Sequence, residues 1–110
     1  MLTKLEELVL LTVLRLEDEA YGISVYKTIQ KYTGKKLAVG SVYFPLERLT
    51  KKGYLEAHKG EPTPERGGMS KRFYCLTPEG KNILRDTLKI NQLFWKGIPS
   101  QLGIDHEPPA

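Results

Sequence analysis

The chain has 110 residues, 40% hydrophobic and 27% charged, which suits one compact folded domain with a modest core and excludes a disordered chain. Its longest uninterrupted apolar run is Leu8–Leu11, far short of the roughly 20 residues a membrane span needs, so no membrane partner is expected. The net charge is +4, and its single cysteine, Cys75, excludes an internal disulfide or a thiolate cluster.

Glu6, Glu7 and Thr12 interrupt the only apolar N-terminal segment, so no secretory signal is read there and the cytosol is the expected compartment. Charge is unevenly spread. Residues 1–30 hold three Lys/Arg against five Asp/Glu, residues 31–72 ten against four, and residues 73–110 four against four. Cations gathered in the middle third are the footprint of a segment that binds a polyanion, although a solvated basic surface has the same composition.

In chain order, residues 3–17 read as a helix. Leu5, Leu8, Val9, Leu11, Val13, Leu14 and Leu16 are apolar nearly all round it, which predicts burial on more than one face. An acidic turn, Glu17-Asp18-Glu19, ends it. A second helix follows Tyr21-Gly22, with Ile23, Tyr26, Ile29 and Gln30 at helical spacing, and Gly34 closes it by tolerating a left-handed turn. After an extended link over 35–39, a third helix is expected with Ser41 as its N-cap. Val42, Leu46 and Leu49 would face the core, opposite Phe44, Glu47, Arg48 and Lys51. Pro45 lacks an N–H and disfavours helix at Phe44, so regular helix is expected to begin only around there.

Residues 54–60 and 70–77 suit strands, joined by the turn-rich Glu61-Pro62-Thr63-Pro64-Glu65-Arg66-Gly67-Gly68-Met69. Thr77-Pro78 then starts a helix to about Trp95. Gly97, Pro99, Gly103, Pro108 and Pro109 mark a tail over 97–110 expected to be flexible. The fold class is therefore α+β, mostly α: a winged helix-turn-helix over residues 1–77, of three helices and a two-stranded hairpin, plus a C-terminal helix over 78–96.

In that fold the third helix enters the major groove and the hairpin reaches an adjacent groove or the backbone. Arg48 and Lys51 suit phosphates or guanine edges, and Phe44 suits thymine methyls. The alternative is that Arg48 and Glu47 pair within the protein and Phe44 packs under a neighbour. In the hairpin, Arg66-Gly67-Gly68 would let the backbone approach a phosphate, with Lys71 and Arg72 adding attraction.

The stretches Glu19-Ala20-Tyr21-Gly22, Gly40-Ser41-Val42-Tyr43, Leu46-Glu47-Arg48-Leu49, Lys52-Gly53-Tyr54, residues 61–68, and Phe73-Tyr74-Cys75-Leu76-Thr77-Pro78-Glu79-Gly80 occur in an order and spacing that resemble the PadR family of transcription regulators. The resemblance spans residues 5–96. It implies a dimeric repressor whose last helix builds the dimer, with Ser41, Tyr43, Arg48, Arg66, Gly67 and Lys71 at the DNA. Two departures stand out. Many members carry proline directly after the tyrosine, where this chain has Phe44 and then Pro45, and the C-terminal region is one short helix.

The expected DNA interface is thus Lys35, Ser41, Tyr43, Phe44, Arg48, Lys51, Arg66, Gly67, Gly68, Lys71 and Arg72. In the last helix Ile83, Ile90, Leu93 and Phe94 form one apolar sector and Leu84, Leu88 and Trp95 another. One can pack on its own domain, and the second calls for a symmetric copy. The expected dimer interface takes in Leu8, Leu84, Leu88, Asn91 and Trp95. Some members of the resembled family bind flat aromatic or phenolic compounds between the two copies. Phe94 and Trp95 are candidates for such an effector site, plain interface packing being the alternative.

No phosphate loop, His-Glu-x-x-His or Gly-x-Ser-x-Gly occurs, so neither enzyme activity, cofactor nor metal is expected. His58 reads as a hairpin surface residue and Cys75 as a core thiol. A competing function is a winged-helix adaptor for protein partners. Its signature would be loss of positive charge in the third helix and hairpin, and the opposite is present.

Overall fold

The computed structural model describes residues 1–60 and 71–104. In chain order the elements are α1 (Lys4–Leu16), a 3₁₀ turn (Glu17–Glu19), α2 (Gly22–Thr33), α3 (Gly40–Lys51), strands β1 (Leu55–Lys59) and β2 (Arg72–Leu76), α4 (Pro78–Trp95) and the short α5 (Ile98–Gln101). This is the winged helix-turn-helix expected from the sequence, with α2 and α3 as the helix pair and β1–β2 as the wing. Among the described residues no helix is long and apolar enough to cross a membrane.

The helix ends follow from local chemistry. Thr3 caps α1 by accepting the Glu6 N–H at 3.1 Å, and the Glu6 carboxylate accepts the Thr3 N–H at 2.9 Å. Two otherwise free donors are satisfied reciprocally. Gly34 ends α2 at φ 69°, its N–H donating to the Gln30 carbonyl at 3.0 Å. Thr77 caps α4 by accepting the Gly80 N–H at 3.0 Å, with Pro78 at the first helical position.

The entry to α3 differs from expectation. Ser41 is not the N-cap, because Val39 is already helical (φ −56°, ψ −43°) and the Ala38 and Val39 carbonyls accept the Ser41 and Val42 N–H groups. Regular helix therefore begins at Gly40, before Pro45 rather than at it. Proline at the sixth helical position removes one N–H, the partner of the Ser41 carbonyl, and its ring is buried instead.

The core lies where α1, α2 and α3 meet under the wing: Val9, Leu10 and Val13 of α1, Val25 and Ile29 of α2, Val42, Leu46 and Leu49 of α3, with Leu55 and Tyr74. In α2 the buried line is Gly22, Val25 and Ile29, while Ile23 is exposed. The strands pair antiparallel from Leu55↔Leu76 to Lys59↔Arg72. Strand alternation turns Leu55 and Tyr74 inward and Glu56, His58 and Cys75 outward. Cys75 is thus exposed rather than a core thiol, because only one face of a two-stranded sheet is covered. His58 is exposed, as expected, and stacks on Phe73. A Tyr74 N–H bond to the Ala20 carbonyl at 2.8 Å and a bridge between Tyr21 and Phe73 tie the wing to the start of α2.

The sequence places a flexible tail from residue 97. Instead the chain turns at Gly97 into α5, whose Pro99 is buried, and the Ile104 N–H returns to the Pro99 carbonyl at 2.8 Å. A proline in the first turn and a left-handed glycine before it favour helix there. Residues 105–110 of that expected tail lie outside the described residues.

Candidate nucleic-acid interface

The buried positions of α3 (Val42, Pro45, Leu46 and Leu49) fix which way the rest of the helix points. At 100° per residue the outermost ridge is Gly40, Phe44, Glu47 and Lys51. Phe44 is 69% exposed, so it does not pack under a neighbour. Tyr43 lies on the flank toward the wing. There its ring occupies the space a Cβ at Gly22 would need, so the bare glycine lets α2 and α3 approach closely. Ser41 and Arg48 lie on the opposite flank.

The base of the wing closes against the Tyr43 flank. Tyr43, Glu47, Lys71 and Arg72 line one cleft of about 280 Å³ together with Tyr21 and Tyr74. The Arg72 guanidinium lies 3.3 Å from the Glu47 carboxylate, both half-exposed, and over the buried Tyr74 ring at 5.6 Å. Burial raises the Tyr74 hydroxyl above its ordinary pKa, so the ring stays neutral beneath Arg72. The Lys71 ammonium sits 4.1 Å from the centre of the Tyr21 ring, near the start of α2.

Arg48 is held elsewhere. Its Nε lies 3.1 Å from Glu6 Oε2 and Lys52 Nζ 3.5 Å from the same oxygen, so pairing within the protein holds for Arg48 as it does for Glu47. Glu6 is only 2% exposed. The Thr3 backbone N–H holds its carboxyl below the usual range, with Arg48 and Lys52 adding to this and burial opposing it. Sequence reasoning misses this anchor. The Thr3-x-x-Glu6 capping pattern is legible, but nothing local announces a partner 42 residues away. Glu47 likewise stands outside the expected site, although an acid inside the most basic segment is a usable signal.

Lys35 is exposed in the α2–α3 link and Lys51 on the α3 ridge. Arg66, Gly67 and Gly68 of the expected wing tip lie outside the described residues. The structure therefore brings Tyr43, Lys71 and Arg72 to one cleft, leaves Phe44 and Lys51 on the exposed ridge beside it, and pairs Arg48 with Glu6 of α1.

Residues 10–86 match the model of the transcriptional regulator PadR-like family. The chain belongs to that family. Solved structures similar to it include a transcriptional regulator from Clostridium thermocellum (TM-score 0.70, 22% identity, covering 91% of this chain and 97% of that one). A PadR family regulator from Eggerthella lenta has TM-score 0.67 and 25% identity, covering 86% and 80%. RosR from H. salinarum has TM-score 0.65 and 28% identity, covering 87% and 79%. No curated protein matches the chain. Family and fold together make this a DNA-binding transcription regulator.

The second candidate surface of this PadR-like regulator lies along α4. Leu84 and Ile83 pack against the core at its N-terminal end, so the two apolar sectors are not divided between self and partner as expected. Beyond them Leu88 (41%), Trp95 (42%) and Phe94 (80%) are exposed. Leu11 and Leu14 of α1 are exposed as well, so within one subunit α1 is not buried on more than one face. These leucines, Leu84, Leu88, Glu7 and Asn91 line a groove of about 450 Å³ between α1 and α4. Asn91 Nδ2 donates to Glu7 Oε2 at 3.1 Å across it, and Leu8 is half-buried beside it in sequence.

Proposed function

We propose that this regulator is a sequence-specific repressor that binds a palindromic operator as a homodimer. The observation that carries the reading is the meeting of the α3 flank with the cationic base of the wing in one cleft, within the most basic third of the chain. An outward helical ridge beside a basic hairpin matches the dimensions of a major groove and its bordering phosphates. Lys35, Lys51, Lys71 and Arg72 meet phosphates. Ser41, Tyr43 and Phe44 face base edges, Phe44 toward thymine methyls, and Arg66, Gly67 and Gly68 bring the wing tip to the backbone. Arg48 contributes its positive field and remains paired with Glu6. A regulator occupying an operator represses by exclusion.

Dimerisation rests on the uncovered apolar side of α1 and α4. An exposed stripe of Leu11, Leu14, Leu88 and Trp95 on one subunit calls for an apolar cover, and a symmetric copy supplies the same stripe in return. A planar aromatic or phenolic compound stacking on Phe94 or Trp95 between the copies would shift their separation and release the operator.

The deciding experiment is binding of the purified chain to its own upstream duplex across a salt series. Retention is expected over half-sites about one helical turn apart, roughly 10 bp. Affinity should fall steeply with salt, and Arg66→Ala with Lys71→Ala should flatten the logarithmic salt slope by about one for each phosphate left without its cation. Salt-independent or absent binding would refute the reading. For the effector, a thermal-shift screen of planar aromatics should show hits on the wild type that Trp95→Ala loses; no hits would remove that part.

A further inference from the structure

We propose that Glu47 reads the exocyclic amino group of a cytosine in each operator half-site, with Arg72 as the strut that aims its carboxylate; this rests on the DNA-binding reading above. Glu47 stands on the outermost ridge of α3, one turn from Phe44 and one from Lys51, so no approach of that ridge to a groove leaves it aside. A carboxylate there cannot be neutral ground. Toward phosphates it is repelled, and toward bases it can only accept hydrogen bonds.

The major-groove edges narrow the choice. Guanine offers acceptors at N7 and O6, and thymine offers the O4 acceptor and a methyl group, all unfavourable to a carboxylate. Adenine offers its amino group with the N7 acceptor beside it, a pattern suited to an amide that both donates and accepts. Cytosine alone presents a donor with no acceptor on its own major-groove edge, the nearest being O6 of the paired guanine on one side only. The adenine amino group is flanked by acceptors on both sides.

Arg72 makes the carboxylate a fixed probe. Its guanidinium holds Glu47 at 3.3 Å and lies over the Tyr74 ring, which is buried in the core. An ion pair between two half-exposed side chains adds little to fold stability, whereas it does fix the direction of an otherwise free glutamate. The pair also offsets one cation on the face that meets phosphates. Glu47→Gln should therefore raise affinity for unrelated DNA while degrading discrimination.

The test is enrichment from a pool of randomised duplexes by the purified full chain, wild type and Glu47→Gln in parallel. The wild type should enrich a two-fold motif in which one position per half-site prefers cytosine over thymine by about fivefold to tenfold. In Glu47→Gln that preference should vanish or move to adenine, which glutamine can engage through both its groups, with the other positions unchanged. Arg72→Gln should blunt the same position and no other in the enriched motif, while lowering affinity for all duplexes alike because a phosphate loses its cation. An unaltered cytosine preference in Glu47→Gln would overturn this inference and leave the DNA-binding reading standing. A wild type that enriches no sequence would overturn that reading, and this one with it.

Discussion

Helices α1 and α4 use their apolar residues in opposite ways. In α1, 13 residues long, Val9, Leu10 and Val13 are fully or almost fully buried, and even Glu6 and Thr12 are enclosed. In α4, 18 residues long, the one buried residue is Gly80 in its first turn, while Leu88, Ile90, Leu93, Phe94 and Trp95 are all exposed. Helix α1 carries six leucines in its 13 residues and α4 three in its 18, so composition already leans the same way as burial. Helix α1 is the floor on which α2, α3 and the wing rest; beyond Leu84, α4 runs along the α1 groove and meets the short α5 among the described residues. A helix of this kind gains its stability from packing rather than propensity, and the distal turns of α4 have less of it within the subunit than α1, whose uncovered apolar residues are limited to the Leu11 and Leu14 side.

Truncating the core should expose the contrast most strongly. Leu46→Ala removes a fully buried side chain beneath the reading ridge, and urea denaturation should show a loss of about 2–5 kcal/mol. The loss should be the same at micromolar and at high protein concentration, because the site is internal to each subunit. On α4, Leu88→Glu should leave the wing and its core intact and weaken self-association by about 2 kcal/mol or more, some thirtyfold in Kd. Sedimentation equilibrium would register this, and the melting temperature of the wild type should rise with concentration. An unchanged dimer in Leu88→Glu would mean that α4 is covered by something other than a second copy.

The same contrast explains how far the sequence can be read. Periodicity locates α1 to α4 and the wing, and Thr77 with Pro78 adds a local start signal for α4. Val42, Leu46 and Leu49 give the orientation of α3, and with it the exposure of Phe44 and Lys51. What escapes depends on contacts between distant segments or on competition between local preferences. Arg48 is claimed by Glu6 on another helix, and Ile23 is displaced from the core by the Val25 line. Ser41 yields its capping role because Ala38 and Val39 already supply the carbonyls. The start of the tail departs from expectation for a local reason: Gly97 and Pro99 have the composition of helix breakers, yet here they form the entry to α5.

Smaller and more diagnostic is the Glu6 anchor, which joins the floor helix to the reading helix. Its carboxyl titrates below the ordinary range in the folded chain. The stabilisation it gives is therefore complete above the unfolded value of about 4.3 and is lost as the pH falls through the lower folded value. Glu6→Gln can still close the capping box, since an amide oxygen also accepts the Thr3 N–H. The cost of about 1 kcal/mol expected at neutral pH therefore comes from the charge-assisted hydrogen bonds. Arg48 and Lys52 are half-exposed, so solvent screens the ion-pair share of that figure. Unfolding followed from pH 7 to pH 3 should show the two proteins converging. A constant gap would mean that the carboxylate charge contributes nothing and that only side-chain shape matters at this position.

The least effect is expected at Cys75. A thiol enclosed in the core would make its replacement by the more polar serine costly, whereas strand alternation turns this one outward beside Glu56 and away from Tyr74. Cys75→Ser should therefore lie within about 0.5 kcal/mol of the wild type in denaturant and bind the operator with the same salt slope. Because β2 also carries Arg72 and Tyr74, the substitution tests whether the two faces of the wing are independent. If the outer face could be changed only at the expense of operator binding, the wing would be acting as one coupled unit. The contrast between an enclosed floor and an open periphery would then stop at the sheet.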